Sequence, residues 1–124
     1  MTTLPRIQHV SIPRPSGEET AVSARNFYGE LLGLPEIPVP DSLAGRGLIW
    51  FQLGATEIHI FVEDFEGGAK GSHFCIAVVD YQAVRQKLEG AGVFVRDTTP
   101  IPGRPRFFTR DPFGNSIEIS TILE

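Results

Sequence analysis

The stretch "DPFGNSIEIS" (residues 111–120) decides how the rest of the chain is read. "DPFG" is a turn signal. Pro112 suits the second turn position, where φ matches the value its ring imposes, and Gly114 suits a position with positive φ. The residues after the turn alternate: Ile117 and Ile119 share one side of a strand, and Ser116, Glu118 and Ser120 share the other. With "RFFTR" (106–110) before the turn, the segment predicts a hairpin. A carboxylate, Glu118, then stands between two isoleucines and faces away from the side they share.

A second hairpin of this kind lies upstream. "LIWFQL" (48–53) and "EIHIFVE" (57–63) flank "GAT" (54–56), and His59 takes the position that Glu118 has in the later hairpin. Each hairpin is preceded by a strand and a helix. "RIQHVSI" (6–12) alternates apolar and polar residues, and Pro13 and Pro15 are expected to close it. "SGEETAVSARNFYGELLG" (16–33) predicts a helix, with Ser16 as N-cap, Glu18 and Glu19 in the first turn, and Gly33 as stop. Its apolar stripe is Ala24, Phe27, Leu31 and Leu32, and Phe27 and Tyr28 are expected to pack on a sheet. "LPEIPVPDSLAGRG" (34–47) reads as a loop or an edge segment. In the second half, "HFCIAVV" (73–79) predicts a strand. "DYQAVRQKLEGAG" (80–92) predicts a helix capped by Asp80, with Ala83, Val84 and Leu88 as its stripe and Gly90 or Gly92 as its stop. "VFVRD" (93–97) predicts a short strand, and "TTPIPGRP" (98–105) a loop. Between the halves, "DFEGGAKGS" (64–72) is a polar connection. Its "GGAKG" (67–71) is too short and wrongly placed for a phosphate loop, and reads as linker.

The order is therefore β-α-β-β-β twice, an internal repeat. His9 matches His73 and His59 matches Glu118, with loop lengths absorbing the difference in spacing. In strand parity, Val10 and Ile12, Ile58 and Ile60, Phe74, Ile76 and Val78, and Ile117 and Ile119 form the aliphatic side, the natural seat for two helices. The reverse side carries His9, His59, His73 and Glu118, together with Ile7, Phe61, Cys75 and Ala77. A face that mixes small, aromatic and ionisable groups reads as a pocket wall. Imidazole nitrogen and carboxylate oxygen are suitable ligands for Zn, Fe, Mn, Ni or Co. Three scattered histidines taken singly would read as solvated side chains; the repeat makes them a candidate metal site.

Composition bounds the rest. The chain has 124 residues, 41% hydrophobic and 21% charged, which is one ordinary globular domain spanning 1–124. Module one runs from about 1 to 63 and module two from about 72 to 124. The net charge of −4 and the lack of a basic stripe argue against nucleic acid. Cys75 is the single cysteine, so no internal disulfide forms, and a reducing, cytoplasmic setting is expected. "MTTLPRIQHVSIPRP" holds no apolar leader, and no run is long enough to cross a membrane, so no membrane partner is expected. Arg104, Arg106 and Arg110 stand around the last hairpin, either as solvated arginines or as binders of a substrate carboxylate or phosphate. Trp50, Phe51, Phe61, Phe107, Phe108 and Phe113 divide between core and pocket in a way that parity leaves open. Cys75 reads as a small buried residue or a pocket liner.

Taken together, "HVSI", "ARNFYGELLGL", "LIWFQLGATEIHIF", "HFCIAV", "LEGAGV" and "RFFTRDPFGNSIEI" resemble the vicinal oxygen chelate superfamily, which includes glyoxalases, bleomycin-resistance proteins, extradiol dioxygenases and fosfomycin-resistance transferases. The resemblance covers nearly the whole chain. It implies an α+β fold of two βαβββ modules, whose sheets form a cupped half-barrel with helices on the outer face, around one divalent metal ion. It places metal ligands on His9, His73 and Glu118, and the variable fourth position on His59, with Glu57 two residues earlier on the same face. Glu118 and His59 are the expected catalytic residues. The implied function is a metal-dependent enzyme acting on a small molecule with vicinal oxygens, lyase or isomerase ahead of ring-cleaving dioxygenase. The alternative is a non-catalytic small-molecule binding or resistance protein of the same fold. Sheet edges left open favour association, so a homodimer is expected.

Overall fold

The computed structural model describes residues 5–65 and 71–121. Most of the expected linker 67–71 lies outside the described residues. The chain divides into two units, Met1–Phe65 and Glu66–Glu124. In the first, β1 (His9–Arg14), α1 (Glu18–Ala24), β2 (Glu36–Ile37), β3 (Ile49–Leu53) and β4 (Thr56–Val62) succeed one another. In the second, β5 (His73–Val78), α2 (Tyr81–Gly90), β6 (Val95–Arg96), β7 (Arg106–Arg110) and β8 (Ser116–Thr121) keep the same order. The expected βαβββ repeat is present in both, and the fold class is α+β.

Each unit forms a four-stranded mixed sheet, ordered β1-β4-β3-β2 in the first and β5-β8-β7-β6 in the second. In each, the first and last strands pair in parallel and the other pairings are antiparallel. The registers match residue for residue. His9 faces Glu57 as His73 faces Ser116, and Ser11 faces His59 as Cys75 faces Glu118. His9 is therefore the counterpart of His73, and His59 of Glu118.

The aliphatic sides form the cores. Ile12, Ile49, Phe51, Ile58 and Ile60 are buried in the first unit, and Ile76, Phe107, Ile117 and Ile119 in the second. Side chains of this kind stabilise the fold by about 1.5–3 kcal/mol each when fully buried. The helical segments supply the facing layer: the Tyr28 ring lies 5.8 Å from that of Phe51, and Tyr81 lies 6.5 Å from Phe107. Thr109 is buried among these residues because its hydroxyl donates to the Phe94 carbonyl at 2.6 Å.

Several local expectations need correction. The first strand runs His9–Arg14 rather than 6–12. Residues before Gln8 would have to pair with the turn at Gly54 and Ala55, where β4 has not begun. Pro13 continues the strand instead of closing it. The Glu57 N–H bonds to the Gln8 carbonyl and the Glu63 N–H to the Arg14 carbonyl, so even-numbered residues of β1 bond to β4 and the Pro13 nitrogen turns away from β4. Arg14 then falls on the core side, buried. Its guanidinium donates to the Gly17 and Gly47 carbonyls and to the Thr20 hydroxyl at 3.0, 2.8 and 2.7 Å. Ser16 is not the N-cap: its N–H and hydroxyl go to the Asp64 carboxylate, and Gly17 precedes the helix.

Beyond α1 the helix widens into a π-helical stretch, Arg25–Leu31, in which the Leu32 N–H reaches the Phe27 carbonyl five residues back. The wider turn lets the consecutive Phe27 and Tyr28 both be buried. Gly33, at φ 73°, ends it as expected, in a backbone region that other residues adopt only at a cost. In α2, Asp80 accepts the Ala83 N–H at 3.1 Å and so caps the helix as expected, and Gly92, with φ 76°, provides the stop. Ala83 itself is exposed; the inward face is Tyr81, Val84, Arg85 and Leu88. The strand expected over 93–97 shortens to Val95–Arg96, because the Phe94 carbonyl is taken by Thr109 and Asp97 is drawn to Arg85.

Replacing Phe107 with Ala is expected to destabilise the chain by about 3–5 kcal/mol, read by urea denaturation. The Asp97 carboxyl, hydrogen-bonded by Arg85, is held below the usual carboxylate range. Its contribution is present above the unfolded Asp pKa and disappears as pH falls through the lower folded value. The melting-temperature difference between Asp97→Asn and the parent should therefore be small and present at neutral pH, and vanish in strong acid.

Candidate functional site

In the first unit, β4 presents His59 on the side away from the core. β3 places Trp50 directly opposite it, and their rings stack at 3.7 Å and 3°. From β1, on the other flank of β4, His9 stacks on His59 at 4.0 Å and 17°. His59 is thus held between two rings, with its Nε2 2.8 Å from Glu57 Oε1. The hydrogen bond to His59 lowers the Glu57 carboxyl from its ordinary value, against the opposing effect of burial. His9 Nδ1 lies 2.7 Å from Gln8 Oε1.

In the second unit, β5 and β8 bring His73 and Glu118 together, with His73 Nε2 3.1 Å from Glu118 Oε1. His73 Nδ1 lies 2.9 Å from the Gly71 carbonyl, which only accepts, so Nδ1 carries a hydrogen. In the neutral ring, Nε2 then presents a lone pair to a carboxylate oxygen. Two lone pairs at this distance require a positive species between or beside them, a proton or a metal ion. The other oxygen, Glu118 Oε2, faces Arg106 Nη1 at 3.4 Å, and Arg106 Nη2 donates to the Thr99 carbonyl at 2.9 Å. Phe108, opposite Glu118 on β7, underlies the group. It meets His73 edge-on at 4.8 Å and lies under the guanidiniums of Arg96 and Arg106 at 4.9 and 5.8 Å.

The four expected ligands therefore form two pairs, His9 with His59 in one unit and His73 with Glu118 in the other. Within neither unit do the described residues gather three or more His, Cys, Asp or Glu side chains fit to hold a metal by themselves. The His73–Glu118 pair nevertheless suits a metal. Two ligands each about 2.1 Å from one ion, at about 90–110°, stand roughly 3.0–3.4 Å apart. A carbonyl on the far ring nitrogen is also the usual partner that orients a ligating histidine.

The structure also sorts residues that parity left open. Phe51 and Phe107 are core; Trp50 and Phe108 line the reverse side. Cys75 is exposed, opposite Glu118, and is not a buried filler. Arg106 joins Glu118, whereas Arg110 lies over the exposed Phe94 ring at 5.8 Å. Sequence reasoning does not anticipate the Trp50 stack on His59, although its signal is there: a two-residue turn at Gly54 and Ala55 sets Trp50 opposite His59.

A model of the glyoxalase/bleomycin resistance protein/dioxygenase superfamily matches residues 6–119. Among solved structures, a glyoxalase family protein from Bacillus anthracis is 40% identical, with TM-score 0.86 and 99% of each chain covered. A glyoxalase/dioxygenase from Nostoc punctiforme has the same fold at 18% identity and TM-score 0.78, over 98% of this chain and 94% of that one. Lactoylglutathione lyase from Agrobacterium tumefaciens does so at 20% identity and TM-score 0.69, over 97% and 96%. No curated protein matches.

Trp50 is the only tryptophan, so its emission reports the ring stack alone. His59→Ala should uncover one indole face and shift the emission to the red; an unchanged spectrum would contradict the stack.

Proposed function

The chain belongs to the glyoxalase/bleomycin resistance protein/dioxygenase superfamily, and from that premise we propose that it is a metal-dependent enzyme acting on a small molecule with two adjacent oxygen atoms. The observation that carries this reading is the His73 Nε2–Glu118 Oε1 approach at 3.1 Å, with Nδ1 fixed by the Gly71 carbonyl. In this reading His73 and Glu118 would hold one divalent metal ion. Such an ion supplies Lewis acidity toward vicinal oxygens and stabilises the negative charge that develops on them.

The chain's own residues do the rest. The Gly71 carbonyl fixes a hydrogen on His73 Nδ1 and so leaves Nε2, on the Glu118 side, as the nitrogen able to hold the ion. Arg106 holds the second Glu118 oxygen and restrains the carboxylate's rotation. The Nε2 of His59 is committed to Glu57, which supports a proton-transfer role for His59 over that of a fourth ligand. Clamped between Trp50 and His9, the ring holds a proton at Nε2 against Glu57 Oε1 without freedom to swing away. An acid–base group of this kind serves proton removal beside a carbonyl, so lyase or isomerase chemistry is favoured over ring cleavage.

Among the described residues no helix is long and apolar enough to cross a membrane. The lone cysteine suits a reducing cytoplasm. Each sheet ends on short or edge strands, which supports a homodimer that covers them; sedimentation of the purified chain tests this.

Elemental analysis of gently purified protein should find a near-stoichiometric divalent metal. His73→Ala and Glu118→Ala should each abolish it. A metal-free protein that still takes up small ligands would overturn the enzyme reading and leave a binding protein of the same fold. For the role of His59, His59→Gln should lower turnover by about a hundredfold or more while metal remains bound.

A further inference from the structure

The two sheets have matching registers, so each residue on one reverse face has a counterpart on the other. Trp50 corresponds to Phe108, because they stand opposite the counterparts His59 and Glu118. By the same register Ile37 corresponds to Arg96 and Gln52 to Arg110, and Leu48, one residue before β3, corresponds to Arg106. The first unit thus fills these places with neutral side chains and builds the same sheet. Pleat and pairing therefore do not require arginine at 96, 106 or 110. Among the described strand residues, these three guanidiniums share their face with a single carboxylate, Glu118, in a chain whose net charge is −4.

Two of them are organised around one ring. Arg96 and Arg106 both lie over Phe108, at 4.9 and 5.8 Å. A cation–π contact of this kind restrains a guanidinium over the ring while its N–H groups remain able to pair with an anion. Arg106 is further restrained by Thr99 and Glu118. Its Nε is buried and has no hydrogen-bond partner among the described residues. A buried N–H donor beside a partly satisfied guanidinium suits one oxygen of a planar carboxylate, with a neighbouring Nη–H for the other.

We propose that Arg106 and Arg96, seated on Phe108, form a carboxylate-binding subsite, and that the substrate is a small acid with a second oxygen beside its carboxylate, a 2-hydroxy or 2-oxo acid. The proposal deepens the metal-site reading and rests on it for the second oxygen, because Arg106 touches the proposed ligand Glu118. A guanidinium's two-donor edge pairs with carboxylate and with phosphate, so titration with inorganic phosphate separates the two.

The test is calorimetric titration of the whole chain, as purified, with lactate, with its neutral isostere lactamide, and with inorganic phosphate, alongside metal analysis of the same batch. Lactate should bind about tenfold or more tightly than lactamide. Arg106→Gln and Arg96→Gln should each remove most of that preference, and Arg106→Lys, which keeps the charge but loses the fork, should fall between. Arg25→Gln deletes an equal charge next to α1 and should leave lactate affinity unchanged. Arg96 is exposed on a two-residue strand, so Arg96→Gln still gives a reading if Arg106→Gln unfolds, which melting curves reveal. Equal binding of lactate and lactamide, an undiminished preference in Arg96→Gln and Arg106→Gln, or binding of phosphate without lactate overturns the proposal. Charge preference without metal sinks the metal reading and leaves the subsite; metal without charge preference does the reverse.

Discussion

The parallel pairing of the first strand of each unit with its last is the constraint on which the rest depends. That ladder sets β1 against β4 and β5 against β8. It carries His9 beside His59 and brings His73 to within 3.1 Å of Glu118 across a sequence separation of 45 residues. A slip of one residue would turn every ligand candidate into the core and every isoleucine out of it. The buried isoleucines at 58, 60, 117 and 119 hold the register against that slip, so the hydrophobic side of the sheet determines the geometry of the polar side.

The polar sides of the two units then diverge. The first assembles a ring-rich stack in which His59 is clamped between Trp50 and His9 and bonded to Glu57. The second assembles charged groups, with one carboxylate held between an imidazole and a guanidinium. Identical backbone registers thus carry two kinds of chemistry. In the proposed reading one unit handles a proton and the other holds a cation and an anion side by side. A duplicated module can divide labour in this way because the side chains on this side of each sheet are not those that fill its aliphatic core.

Some features of the chain depend on local rules and others on long-range pairing. Asp80 as a cap, Gly33 as a stop and Gly114 in the "DPFG" turn depend on their own φ angles and nearest neighbours, and they are legible in the sequence. Ser16 meets the same local rule and is overridden, because Asp64, distant in sequence, supplies a stronger acceptor for its N–H and hydroxyl. Pro13 looks like a strand end because its harmlessness depends on which edge of which sheet it occupies. The burial of Arg14 is hidden from the sequence, because a guanidinium on an aliphatic face is tolerable only where backbone carbonyls from separate loops, here at Gly17 and Gly47, converge on it.

The sequence by itself determined the alternation, the helix signals and the duplication, and with them the βαβββ order and the side on which His9, His59, His73 and Glu118 stand. These arise from the period of two in a strand, the dipole and capping demands of a helix, and the φ restrictions of proline and glycine, all of which act within a few residues. Only the tertiary structure decided that His59 is clamped and committed to Glu57, that Arg106 shares Glu118 with His73, and that Arg96 and Arg106 meet over Phe108. Those contacts join strands distant in the chain, and their distances are set by register and by the packing beneath, which no local pattern encodes.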